Sequence, residues 1–238
     1  MNGKDSAYEF FRTLHENLDA SFPGPQEMHT AVGELIELGQ SRVEFRYLCS
    51  PEHAFTRGIA LPKIHEELTG TFGLSLNQAR EALLTEGWQN HKGISSNTPA
   101  RTVRHPFDKA LVSDASTIYR KWAKESKRLP LTQSCPDFAL RPPCPHKIVF
   151  EAKYFIRGSQ QSAERELVTD LYQTFFYRAL PPTYEVPKRP WDYDYACLFA
   201  YDASPDGAFK AAWEALDTDV REGFWKGANV YVMVLRGR

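Results

Sequence analysis

No apolar run in this chain approaches the roughly 20 residues that a membrane-spanning helix needs. The opening residues, Met1-Asn2-Gly3-Lys4-Asp5, contain no signal-peptide core. Cysteines are few, and Cys49, Cys135, Cys144 and Cys197 form no disulfide framework. A reducing cytoplasm is therefore the expected compartment, with no membrane partner. Cys135, Cys144 and His146 lie close in sequence. No second CxxC-type pair accompanies them and prolines crowd the stretch, so zinc is not expected. A large charge excess is lacking too. The formal net charge of −1 argues against a protein that coats nucleic acid indiscriminately. No internal repeat or low-complexity tract is present, which leaves out repeat architectures.

What is there is ordinary globular material. The 238 residues are 42% hydrophobic and 25% charged, which suits two small domains or one large one. Charge is unevenly placed. Residues 1–56 carry 4 basic and 9 acidic groups, residues 57–130 carry 12 and 7, and the rest 13 and 14. A positive middle is where a phosphate backbone would find its partners.

Two short apolar runs of strand length each hold an acid. The first reads Pro136-Asp137-Phe138-Ala139-Leu140 and the second Ile148-Val149-Phe150-Glu151-Ala152-Lys153-Tyr154. Adjacent strands would bring Asp137 and Glu151 together, with Lys153 on the face of Glu151 because strand side chains alternate. Two carboxylates and an ammonium converging on one point suit a divalent metal and the water it activates. A surface salt bridge between neighbouring strands would use the same residue types. A second Glu-x-Lys, Glu125-Ser126-Lys127, lies in a polar helix-like stretch with no Pro-Asp before it, and strand context separates the two.

The residues that follow have a regular order. Ser162 to Leu180 is spaced as a helix, with Leu167, Leu171, Phe175 and Ala179 on one face and Pro181-Pro182 ending it. Asp194 to Ala200 reads as a buried strand, Ala208 to Trp225 contains a second amphipathic helix, and Asn229 to Leu235 is a final strand. Strand, strand, helix, strand, helix, strand is an α/β order.

On these residues the chain resembles the PD-(D/E)xK phosphodiesterase superfamily, the fold of most restriction endonucleases and several repair nucleases. The resemblance implies a restriction-endonuclease-like mixed sheet flanked by helices. It implies Mg²⁺, with Mn²⁺ as a substitute, held by Asp137, Glu151 and the Ala152 carbonyl, and Lys153 beside the attacking water. Gln173 and Tyr177 form a QxxxY that looks like the extra motif of the helicase-associated and phage exonuclease branch. Both lie on one helix face and could point toward the metal or the DNA backbone, or pack as part of an aromatic-rich helix. The family's first helix, here Asp114 to Lys127, often supplies a further acid, for which Asp114 and Glu125 are candidates. Its first strand must then fit within Arg128 to Ser134, which is tight.

The positive middle holds a second unit. Leu61 to Leu68 reads as a short helix with proline in its first turn, and Gly70-Thr71-Phe72-Gly73 as a turn. Ser75-Leu76-Asn77-Gln78 is a capping box that opens a helix from Leu76 to Glu86, closed at Gly87. The unit resembles the helix-turn-helix of winged-helix DNA-binding domains, with Gln89 to Val103 as the wing. Leu76, Ala79 and Leu83 would face inward, leaving Asn77, Gln78 and Arg80 for base edges and Lys92 and Arg101 for the backbone. A helical hairpin with a solvated polar face is the plain alternative.

Before this unit, Ser6 to Phe22 and Pro25 to Leu38 are spaced as helices, and Arg42 to Leu48 alternates like a half-buried strand. The expected division is a mainly helical, winged-helix-like reader over 1–105 and a nuclease domain over 106–238. The expected activity is Mg²⁺-dependent hydrolysis of double-stranded DNA to 5′-phosphate ends by a restriction-type endonuclease, acting as a homodimer. An exonuclease of repair or phage recombination is the enzyme alternative, and a non-catalytic DNA-binding regulator is the alternative from another class.

Overall fold

The computed structural model describes residues 3–85, 91–94, 103–104, 111–112, 136–179, 182–184 and 193–238. Helix α1 (Gly3–Ser21) buries Phe10, Phe11, Leu14 and Leu18 on one face, as their spacing requires. Pro25 opens α2 (Pro25–Ser41), at a position where a missing N–H leaves no bond unmade.

The strand expected over Arg42 to Leu48 does not form. A 3₁₀ turn spans Val43–Phe45 and leaves Val43 68% exposed. Among the described residues the alternating positions meet no neighbouring strand, and the backbone satisfies itself locally, with Leu48 N–H donating to the Phe45 carbonyl at 2.9 Å. Gly39 permits this close return, because a Cβ there would meet the Leu48 carbonyl oxygen at 2.9 Å.

The chain then runs without a break through α3 (Pro51–His53), a π-helical stretch (Ala54–Ala60) and α4 (Leu61–Gly70). Ser50 caps its start by accepting from His53 N–H. The wide turn ends just before Pro62, whose ring would clash with the carbonyl four residues back in a regular helix. Helix α5 (Leu76–Ala82) opens on the expected capping box. Gln78 N–H donates to Ser75 Oγ at 3.3 Å, and Ser75 N–H donates to Gln78 Oε1 at 2.9 Å.

Helix α5 is shorter than its sequence suggests and sits differently. It stops at Ala82 and passes directly into strand β1 (Leu83–Thr85). Leu76 is 62% exposed, not inward, while Ala79 and Ala82 are buried. A helix that must deliver its C-terminus to a sheet takes its facing from that junction, not from its first apolar residue.

The remaining elements are β2 (His91–Ile94), β3 (Val103–Arg104), β4 (Leu111–Val112), β5 (Phe138–Leu140), β6 (Ile148–Phe155), α6 (Gln160–Ala179), β7 (Pro182–Tyr184), β8 (Tyr195–Asp202), α7 (Ala208–Glu214), α8 (Thr218–Ala228) and β9 (Val230–Leu235). One open mixed sheet has the order β1-β5-β6-β8-β9. Strand β5 is antiparallel to both β1 and β6, and β6, β8 and β9 run parallel. Of the segment expected to form a wing, only 91–94 and 103 are described: β2 pairs with β7 and β3 with β4, and the rest lies outside the described residues. The single helix expected within Ala208 to Trp225 is two, α7 and α8, whose Trp213 and Phe224 rings meet at 6.2 Å.

Strand alternation sorts the core onto two faces. Ile148, Phe150, Ala152 and Tyr154 of β6 and Cys197, Phe199 and Tyr201 of β8 pack toward α1–α5. Val149 and Phe155, with Ala196, Leu198 and Ala200, pack toward α6, α7 and α8. The boundary expected at 105 lies outside the described residues, and the helices before it share their core with the sheet. Helix α1 also clasps β9, with Asp19 Oδ1 accepting from Arg236 N–H at 2.8 Å and Gly237 N–H at 3.1 Å.

Candidate active site at an open strand edge

Strand β5 has three residues and β6 has eight, so β5 covers β6 only from Ile148 to Phe150. Beyond that point every second residue of β6 turns its N–H and C=O toward the side that β5 has left. Asp137 lies one residue ahead of β5, opposite Glu151 in the same register, and its N–H donates to the Phe150 carbonyl at 3.1 Å. Its side chain takes over where the ladder ends. Ala152 N–H donates to Asp137 Oδ2 at 2.7 Å. Two residues on, the Tyr154 N–H faces the Glu52 carboxyl, carried in by α3, and favours its charged form. Two acids thus cap the open edge, and the Ala152 carbonyl points to the same side.

Glu151 and Lys153 lie on the face toward α6, as alternation requires. Gln173 Nε2 donates to Glu151 Oε1 at 2.7 Å and to the Tyr177 hydroxyl at 3.0 Å. Glu151 Oε2 is buried with no hydrogen-bond partner among the described residues. Lys153 Nζ lies 2.8 Å from Glu166 Oε2 and 3.7 Å from Asp170 Oδ2, both on α6.

The electrostatics follow from crowding. Burial pushes the Asp137 carboxyl up to about 7; the charges of Glu52 and Asp170 add to the rise, while the Ala152 N–H and Arg57 oppose it. Burial, then Asp137, Asp170 and Glu52, hold Glu151 well above the usual carboxylate range, with Tyr177 opposing. Burial raises Glu52 as well, against the attraction of Lys153. For Lys153 burial acts downward, but Asp170 and Glu166 outweigh it and keep the ammonium firmly charged. A site with more negative groups than it can ionise together is one that a cation would relieve.

Glu151 through its bare Oε2, Asp137, Glu52 and the Ala152 carbonyl are the groups that could hold such a cation. All are oxygen donors, which suits Mg²⁺. Among the described residues no three His, Cys, Asp or Glu side chains stand as a ready metal-binding group. Asp137 and Glu52 are turned onto the strand's N–H groups instead.

The other expected site residues divide. Asn77, Gln78 and Arg80 are exposed on α5, though Gln78 already spends its carbonyl oxygen on the cap. Tyr177, expected among the DNA contacts, is 3% exposed and braces Gln173 instead. Lys92 belongs to β2, and nothing further of its side chain is described. Arg101, Asp114, Glu125 and Cys135 lie outside the described residues.

Sequence reasoning missed Glu52, Arg57, Glu166 and Asp170. Asp170 could have been found, since it precedes Gln173 by three residues and so shares its helix face. Glu166 stands one further turn back. Glu52 and Arg57 carry no local signal, because the chain brings them to β6 from a distant segment. A recess of about 720 Å³ against Tyr8, Trp213, Trp225 and Tyr231 shares none of these residues. No family model, no curated protein and no solved structure matches this chain.

Proposed function

We propose that this chain is a Mg²⁺-dependent nuclease that hydrolyses phosphodiester bonds of double-stranded DNA. The observation that carries the reading is the meeting of Asp137, Glu151 and the Ala152 carbonyl at the open edge of β6, with Lys153 on the face of Glu151. The strand arrangement around the site supports the PD-(D/E)xK likeness: an antiparallel pair bearing the acids, a crossover helix, then a parallel strand. Glu52, whose charge bears on both Asp137 and Glu151, adds a further acid to this reading beside the expected candidates Asp114 and Glu125.

When bound, Mg²⁺ would neutralise the carboxylates, polarise the phosphate and lower the pKa of water at the site. Asp137, Glu151 and the Ala152 carbonyl would hold it, with Glu52 as a further oxygen donor. Lys153 would meet the charge that develops on the phosphate oxygens as water attacks in line and the 3′ oxygen leaves. Gln173 fixes one oxygen of Glu151 and so leaves the other for the cation. Asn77 and Arg80 on α5 are placed in solvent and would meet the duplex. Cleavage of both strands by one site per chain calls for two copies, so a restriction-type homodimer is the form proposed.

The test is plasmid cleavage in Mg²⁺ and in EDTA by the wild-type chain and by Glu151→Ala. Metal-dependent nicking or linearisation that is lost in the variant supports the reading, and equal activity in both sinks it. The contact between Gln173 and Tyr177 favours one second reading, an exonuclease. That enzyme would degrade linear DNA and leave closed circles intact.

A further inference from the structure

Helix α6 places two carboxylates against the one ammonium of the site. Glu166 Oε2 is 2.8 Å and Asp170 Oδ2 3.7 Å from Lys153 Nζ, one helical turn apart on the same face. The third acid facing Lys153 is Glu52, which approaches from α3 on the open side of the strand. Asp170 is only 6% exposed and its charge also bears on Asp137 and Glu151. Burying it there works against the very carboxylates that a cation must find ionised. An ion pair needed only to join helix to sheet would sit better one turn away, at the solvent side.

We propose that Glu166 and Asp170 are positioning residues, which fix the direction in which Lys153 presents its ammonium to the scissile phosphate. An ammonium has three donors on a stem of four carbons, and its rotamers are numerous unless something holds it. The close ion pair with Glu166 and the longer-range pull of Asp170 both draw the ammonium toward α6, and so fix the side from which it meets the substrate. This inference rests on the nuclease reading, since the substrate it serves is the phosphate.

The experiment uses the full chain. Glu166→Gln keeps the size of the side chain and removes its charge. The expected result is a fall in kcat of about tenfold or more with KM for DNA within about twofold, because misdirecting a catalytic group costs rate, not binding. The melting temperature is expected to stay near that of wild type, because Glu166 is partly exposed and Gln keeps its size and polarity. Asp170→Asn should act in the same sense, and Glu166→Asp, which keeps the charge, should lose less than Glu166→Gln. Unchanged kcat in Glu166→Gln overturns the proposal. So does an equal loss in Glu166→Asp and Glu166→Gln accompanied by a lower melting temperature, which is what a purely structural pair would give.

A second measurement does not need activity. The Lys153 ammonium, held by two carboxylates, should give a slowly exchanging ¹⁵N signal that disappears in Lys153→Arg and weakens in Glu166→Gln. A signal equally strong in Glu166→Gln overturns the positioning role. Wild-type protein that shows the signal but never cleaves DNA in Mg²⁺ overturns the nuclease reading instead.

Discussion

Gln173 and Glu151 are bonded through a single carboxylate oxygen, Nε2 to Oε1 at 2.7 Å, and the other oxygen of Glu151 is buried without a hydrogen-bond partner among the described residues. Tyr177 stands behind the amide and keeps it from rotating away. The arrangement divides one carboxylate into a held half and an available half.

Glu151→Gln should therefore remove cleavage by about 10²–10³-fold or more while leaving the fold intact. It removes a buried charge crowded by Asp137, Asp170 and Glu52. Thermal unfolding without metal at pH 8 should accordingly show the variant at least as stable as wild type. A large loss of stability would mean that the Glu151 carboxylate is a structural partner that the arrangement does not suggest.

The metal-free protein should lose stability as pH rises. Asp137, Glu151 and Glu52 all bind protons more tightly folded than unfolded. The stabilisation linked to them is complete below the unfolded value of about 4 and disappears as pH climbs through the folded values, about 7 for Asp137. A divalent cation competes with those protons, so Mg²⁺ should raise the melting temperature more at pH 8 than at pH 6. Equal shifts at both pH values would place the bound ion elsewhere.

Glu52 can be tested against its two roles. Glu52→Ala removes the oxygen that the Tyr154 N–H faces and should cost about 1 kcal/mol of stability. Glu52→Gln keeps an oxygen for that N–H but removes the charge. It should be nearly as stable as wild type and slower in Mg²⁺-dependent cleavage. Denaturant unfolding and plasmid assays on the pair separate the cap from the charge.

On α5, Ser75→Ala should lower stability by about 1 kcal/mol through loss of the capping box. Arg80→Ala should leave stability alone, since the residue is exposed. If α5 reads bases, Arg80→Ala should cost about 1–3 kcal/mol of binding on the preferred site and much less on random DNA. Titrations with the inactive Lys153→Ala protein measure both. Lys92→Ala and Arg101→Ala should instead weaken both DNAs and flatten the salt slope by about one unit each.

The sheet was largely legible because its strands obey a period of two. Glu151 and Lys153 fall on the same face, and every residue of β8 is buried as its apolar run suggested. Alternation alone misled at Arg42 to Leu48, where among the described residues no neighbouring strand rewards it. The end of α5 was misread because Leu83 and Leu84 suit helix or strand equally, and only pairing with Leu140 and Ala139 decides. Glu52 was out of reach for a different reason. Its value lies in meeting the Tyr154 N–H, a contact between distant segments that no local spacing encodes.

The acid-capped edge of β6 also bears on what descent can erase. A lineage that abandoned the proposed reaction would still need an acceptor for the Ala152 N–H, so Asp137 would be kept by the sheet itself. Drift would be felt first at Lys153 and Gln173, which cap no strand. Those two positions, more than the acids, would separate active relatives from silent ones.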